Sequence, residues 1–199
     1  MRYPLELQFK ILALAPQITV RDADGSELFY LHQKLFKLKE RINVFRDSTK
    51  RETVYTIAAD RVLDISATYA FTHADGRPAG AVKRSGLKSL WRAHYEVLDA
   101  TGQPVLTLQE ENPIVKLLDA LLGEIPLVGM LTGFFLHPRY VISERASGQP
   151  VLRVTKRRSF WESRFAVLAE PGAATLPDEV ETAAVLAILT MALLERSRG

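Results

Sequence analysis

The chain has 199 residues, 47% of them hydrophobic and 25% charged, enough to bury one substantial core and too mixed for a disordered tail. A net charge of +3, from 26 basic and 23 acidic residues, is too slight a bias to imply nucleic acid as a partner. The absence of cysteine removes disulfides and cysteine-based metal or nucleophile sites, and suits a reducing cytoplasm.

At the N-terminus, Glu6, Gln8 and Lys10 interrupt what would be the apolar region of a signal peptide. The alternation from Leu5 to Phe9 reads as a strand instead. Further along, alternating runs separated by turn residues predict strands over 5–14, 17–22, 28–36, 41–46, 53–59, 62–73, 79–84, 90–98, 104–110, 139–144, 151–157 and 160–169. Three of the turns share one pattern: Gly76-Arg77-Pro78, Gly102-Gln103-Pro104 and Gly148-Gln149-Pro150. Glycine supplies the positive φ of a tight reversal, and proline opens the returning strand where its missing N–H does least harm. Asp22-Ala23-Asp24-Gly25 begins like a calcium loop but lacks the closing glutamate, Gln33 standing there, so an Asp-Gly hairpin turn is expected.

Two segments break the strand rhythm. Asn112 and Pro113 suit a helix start, predicting a short helical insertion near 112–137. Pro177, Asp178 and Glu179 open a second helix, Asp178–Glu195, that is apolar all round from Ala183 to Leu194. The charge-free runs Ile125–Leu136 and Ala183–Leu194 are twelve residues each, short of the roughly 18 that span a bilayer. A helix without a polar face must be enclosed on every side or inserted in lipid. A closed antiparallel barrel of about twelve strands around that helix satisfies both patterns, and no linker divides residues 1–199, so a single domain is expected.

The chain also repeats itself. SLWRAHYEVL (89–98) and SFWESRFAVL (159–168) share Trp third and Val-Leu last, and each follows a strand, a glycine turn and another strand. One face reads Trp91, Ala93, Tyr95, Val97 in the first copy and Trp161, Ser163, Phe165, Val167 in the second. Both copies are expected to turn that face, tryptophans included, to one core.

QKLFKLKERINVFRD, THADGRPAG, EENPIVKLLDALLGEIPLVGMLTGFFLHPRY and the closing apolar helix together resemble bacterial members of the LURP-one-related family, kin to the phospholipid scramblases and the Tubby C-terminal domain. The resemblance covers nearly the whole chain. It implies a twelve-stranded barrel around a central C-terminal helix and, from Tubby domains and scramblases, dealings with lipid. No aligned headgroup motif and no scramblase-type calcium loop accompany it.

No catalytic constellation emerges. His32, His73, His94 and His137 stand singly, no serine sits in a nucleophile elbow, and there is no phosphate-binding glycine loop. Glu110 and Glu111 are consecutive strand residues on opposite faces, poorly placed to share a proton; they suit the start of the 112–137 insertion better. Neither catalytic residues, metal nor cofactor is expected. The basic residues are the stronger lead. Lys37, Lys39 and Arg41 alternate opposite the apolar Phe36, Leu38, Ile42 and Val44. Lys83, Arg84 and Lys88 form a second cluster, and Lys156, Arg157 and Arg158 a third. The last two clusters hold matching places before the repeated strand, where an anionic headgroup would fit; ordinary solubility and strand-edge protection is the competing reading. In the insertion, Leu117, Leu118, Leu121 and Leu122 share a face, followed by Leu127, Met130, Phe134 and Phe135. These side chains plug a barrel mouth, meet a second copy or touch a membrane. The expected protein is a non-enzymatic cytoplasmic barrel that binds an anionic phospholipid, a lipid-like ligand or a membrane surface, peripherally at the inner face. The alternative is a homo-oligomer that self-associates through 112–138, and a small-molecule enzyme stands a distant third.

Overall fold

The computed structural model describes residues 1–10, 17–32, 41–60, 67–84, 94–111, 139–157 and 162–196. They form strands β1 (Leu5–Lys10), β2 (Gln17–Arg21), β3 (Glu27–His32), β4 (Ile42–Phe45), β5 (Thr53–Ala59), β6 (Thr68–His73), β7 (Pro78–Arg84), β8 (His94–Leu98), β9 (Pro104–Glu110), β10 (Arg139–Glu144), β11 (Pro150–Arg157) and β12 (Glu162–Ala169), then helix α1 (Asp178–Arg196). Each strand pairs antiparallel with its sequence neighbours, and β1 pairs with β12 to close the barrel. All twelve expected strands and the terminal helix are present. The expected insertion near 112–137, both tryptophans and the outer ends of several expected strands lie outside the described residues.

Alternation explains the barrel wall. Leu5, Leu7 and Phe9 of β1 are buried, whereas Glu6, Gln8 and Lys10 are not. The repeated face behaves as the sequence implies: Tyr95 and Val97 on β8, and Phe165 and Val167 on β12, all point into the core. Phe9 meets Phe165 edge to face, with ring centroids 5.5 Å apart. The outer surface is polar: among the described residues, Met1 and Leu168 are the large apolar side chains more than a third exposed. An apolar inside and a polar outside invert the pattern of a transmembrane barrel, whose outward band is apolar. Among the described residues no helix is long and apolar enough to cross a membrane.

Helix α1 fills the interior. Asp178, Glu179 and Glu181 in its first turn complement the helix dipole. From Ala183 to Met191 every residue has zero exposure. The one polar group in that run, the Thr190 hydroxyl, donates to the Leu186 carbonyl at 2.8 Å, so no buried donor is left over. The helix packs against the wall at β7, where Gly80 faces Ala183.

The repeated turns are one device used three times. Gly76, Gly102 and Gly148 have φ of 90°, 84° and 71°. Pro78, Pro104 and Pro150 open β7, β9 and β11, each beside a register shift in the partner strand. Asp22–Gly25 is a hairpin turn as well, its Asp22 carboxylate accepting the N–H groups of Asp24 and Ser26 at 3.0 Å.

A neighbouring carboxylate ties two hairpins together. Glu27 accepts the Ser48 N–H at 2.9 Å and a guanidinium N–H of Arg21 at 2.8 Å. The Ser48 backbone bond leads, with smaller help from the Ser48 and Arg21 side chains, in holding the Glu27 carboxyl below its ordinary range. A depressed carboxyl contributes stability that is present above its unfolded pKa and lost as pH falls through the folded one. Glu27→Gln should therefore cost about 1 kcal/mol near neutrality. In urea melts the gap between variant and wild type should close on acidification to about pH 3. A gap that is independent of pH would mean the ionised carboxylate is not the source.

Candidate anion-binding rim

Because strand direction alternates around the barrel, every connection that follows an odd-numbered strand leaves from one end, and every connection that follows an even-numbered strand leaves from the other. This brings together residues far apart in sequence. The segments holding Lys37 and Lys39, then Lys88, then Arg158 join β3 to β4, β7 to β8 and β11 to β12, all from the same rim. The 112–138 segment joins β9 to β10 there too, its feet fastened by the Glu111 N–H donating to the Arg139 carbonyl at 2.7 Å.

The two ends differ in charge. In the sequence, the connections that leave this rim, 11–16, 33–40, 61–66, 85–93 and 158–161, hold seven basic residues and two acidic ones, and the 112–138 connection adds one basic and two acidic. At the opposite end, the turns 22–26, 46–52, 74–77, 99–103, 145–149 and 170–177 contain five basic and seven acidic, and the acidic first turn of α1 adjoins them. The modest overall charge thus conceals a polarity along the barrel axis. A cleft of about 150 Å³ at the acidic end is lined by Tyr55, His73, Asp178 and Glu179, a setting that repels anions.

The described members of the three basic clusters fall into different settings. Arg41 is exposed just before β4, with Ile42 and Val44 buried behind it as the alternation requires. Lys83 is exposed and opposite Glu96. Arg84 is only 8% exposed and lies opposite the buried Tyr95, which turns it toward the barrel interior. It is thus withdrawn from the surface cluster in which the sequence places it. Lys156 is exposed opposite Phe165, its Nζ 6.0 Å from the ring centroid. Arg157 ends β11. Lys37, Lys39, Lys88 and Arg158, and the apolar set Leu117, Leu118, Leu121, Leu122, Leu127, Met130, Phe134 and Phe135, lie outside the described residues.

Register aligns the two copies of the repeat. Arg84 pairs with Tyr95 as Lys156 pairs with Phe165, so both cations hold the same place at the rim. Two further basic residues join this rim that the alternation alone does not single out: Lys10 at the end of β1 and Arg164 on β12, both exposed. Arg164 belongs to the wet face of the repeated strand, and only the barrel closure puts it beside β1.

Glu110 and Glu111 diverge as expected. Glu110 lies opposite the buried Tyr140, whereas Glu111 turns outward to an ion pair with Arg153. Arg153 also donates to Glu170 at 2.6 Å. The hydrogen bonds it donates to the two carboxylates, Glu170 foremost, raise its guanidinium above the usual range, against a smaller opposing effect of burial. This clasp reaches from the foot of the 112–138 segment to the end of β12 and is structural. His32, His73 and His94 stand on separate strands, and the described residues contain no group of three potential metal ligands.

No family model matches this chain, and no curated protein matches it. Among solved structures, it is similar to the X-ray structure of a protein from Arabidopsis thaliana, AT5G01750, with a TM-score of 0.50 over 96% of this chain and 91% of that one. The likeness is one of fold. At 13% identity it speaks for the barrel architecture and for nothing at the rim.

Proposed function

We propose that this protein is a non-enzymatic barrel that binds anionic lipid at a membrane surface through its basic rim, and that it is a distant relative of the LURP-one-related and Tubby-like proteins. One observation carries the reading: Arg41, Lys83 and Lys156, an exposed member of each basic cluster, stand at strand ends at one end of the barrel, while the turns at the other end hold more acidic than basic residues. Such a molecule is oriented by the field of an anionic surface before it makes contact. The cytoplasmic leaflet, with its anionic lipids, is the surface of that kind in a cell. The family assignment is supported by the barrel, its central helix and the sequence stretches that resemble the LURP-one-related proteins.

Reversing Lys156, Arg157 and Arg158 to Glu together should weaken binding to phosphatidylserine vesicles by about a hundredfold or more, at about 1 kcal/mol for each cation near such a surface. Added salt should weaken wild-type binding in the same direction. The fold should survive, because Lys156 and Arg157 are the last residues of β11; circular dichroism checks this. A wild type that ignores anionic vesicles at low salt yet sediments as a stable dimer would reject the lipid reading. It would favour self-association through 112–138 instead, which Leu121→Glu or Phe134→Glu should then disrupt.

A further inference from the structure

At the acidic mouth, the core-facing rows of β5 and β6 end in Tyr55 and His73, cross-strand partners one inward position beyond the buried Ile57 and Phe71. The two rings lie 4.9 Å apart, and Phe29 braces Tyr55 edge to face at 5.8 Å. Both are only partly buried, because they wall the cleft of about 150 Å³ between this edge of the barrel and the start of α1. Ala79 and Ala100 add small apolar surfaces to its lining, and Thr182 adds a hydroxyl.

The repeat shows that the barrel closes without such a pair. With Tyr69 matched to Tyr140, the places of Tyr55 and His73 fall to Leu106 and Glu144 in the second copy, where Leu106 is buried. Packing accounts for an apolar residue at the β5 position. It does not account for two rings with polar edges beside a cavity.

The cleft is also negative. Asp178 and Glu179 stand on its helix side, whereas the helix dipole offsets only about half a unit of charge there. Arg77, close enough to feel the charge of Glu179, already donates to Asp75 at 2.8 Å. His73, Asp178 and Glu179 all line the cleft, yet the described residues contain no group of three that could hold a metal ion. Ring faces and carboxylates without a coordination set are the chemistry that holds an organic cation. The volume is half of the roughly 300 Å³ at which pockets for drug-sized molecules begin, which suits a small one.

We propose that this cleft binds a small amine, its apolar body against Tyr55 and His73 and its ammonium group toward Asp178, Glu179 and the Thr182 hydroxyl. The site is at the far end from the basic rim and does not rest on the lipid reading, so vesicle binding bears on neither its success nor its failure.

The test titrates the isotope-labelled intact chain with benzylamine, using benzyl alcohol and benzoate as neutral and anionic controls of similar shape at matched ionic strength. Wild type should bind benzylamine about tenfold more tightly than benzyl alcohol, and benzoate most weakly. Saturable amide shifts should appear at Ala79, Ala100 and Thr182. The variant Asp178→Asn/Glu179→Gln changes two exposed side chains and should bring benzylamine down to the level of the alcohol. Ala100→Phe, at an exposed turn position, should block the cleft without altering a charge. Tyr55→Leu gives β5 the residue of the second copy and should weaken benzylamine about tenfold, with circular dichroism checking the fold. Equal binding of benzylamine and benzyl alcohol by wild type overturns the cation site. Benzylamine binding that survives both Asp178→Asn/Glu179→Gln and Ala100→Phe puts the amine elsewhere and overturns it too, as does the absence of any saturable shift.

Discussion

Leu186→Asp is expected to leave no cooperatively folded protein. Leu186 is at the centre of the helix segment with zero exposure, surrounded by the inner faces of the strands and by Ala183, Val185, Leu189 and Thr190 of its own helix. The one polar side chain in its own buried stretch of helix, Thr190, already donates its hydroxyl hydrogen to the Leu186 carbonyl. The new side chain must be buried charged, at prohibitive cost, or protonate and still leave polar atoms unsatisfied. Loss of the leucine packing adds about 2–5 kcal/mol, so the total matches or exceeds the roughly 5–15 kcal/mol of a typical domain. Leu168→Asp is the control: Leu168 is 39% exposed on the outer wall, and the same substitution there should change stability by about 0.5 kcal/mol or less. Urea denaturation followed by circular dichroism reads both. A Leu186→Asp protein that melts near the wild-type midpoint would show that the helix is not enclosed.

Gly80→Ala should be the most damaging addition of a single methyl group among the described glycines. Gly80 has φ of +121°, and a Cβ built on it would meet the Leu98 carbonyl oxygen at 2.6 Å and the Ala183 Cβ at 3.2 Å. The closer contact is with backbone, which belongs to the β8 end of the barrel and cannot swing aside. Backbone strain and steric overlap together are expected to cost about 3 kcal/mol or more. Gly76→Ala separates the two contributions, because Gly76 has φ of +90° with open space around it. It carries strain without overlap and should cost about 1–2 kcal/mol. Adding Ala183→Gly to Gly80→Ala should restore only part of the loss, since it clears the helix contact and leaves the Leu98 oxygen in place. Complete restoration would locate the tight point between helix and wall rather than between strands.

The fold was legible because its signals are local. Period-two alternation marks each strand, the glycine–proline turns mark the reversals, and a helix with no polar face requires an enclosure. Closure of β1 on β12 follows from the need to cover Leu5, Leu7 and Phe9, although no short-range pattern states it. The rim was less legible. That Lys83, Arg84 and Lys88 precede one repeated strand, and Lys156, Arg157 and Arg158 the other, is visible in the sequence. Which of them face water is not, because that depends on register: Arg84 stands opposite an interior tyrosine and Lys83 opposite a surface glutamate. The register that pairs Arg157 with Arg164 across a hairpin is a two-strand property of the same kind. Arg153 escaped notice because its partners, Glu111 and Glu170, stand on either side of it in sequence and meet it only through the sheet.

The enclosed helix has a consequence for how the molecule is made. It follows all twelve strands in chain order, and the strand that seals the barrel against it, β1, is the first to leave the ribosome. Leu5 cannot meet Val167, nor Gly80 its Ala183, until synthesis has passed β12 and the helix. Throughout elongation the nascent sheet carries an apolar inner face with nothing to fill it and two edges with nothing to pair them. Closure of the barrel therefore waits until the helix has been synthesised.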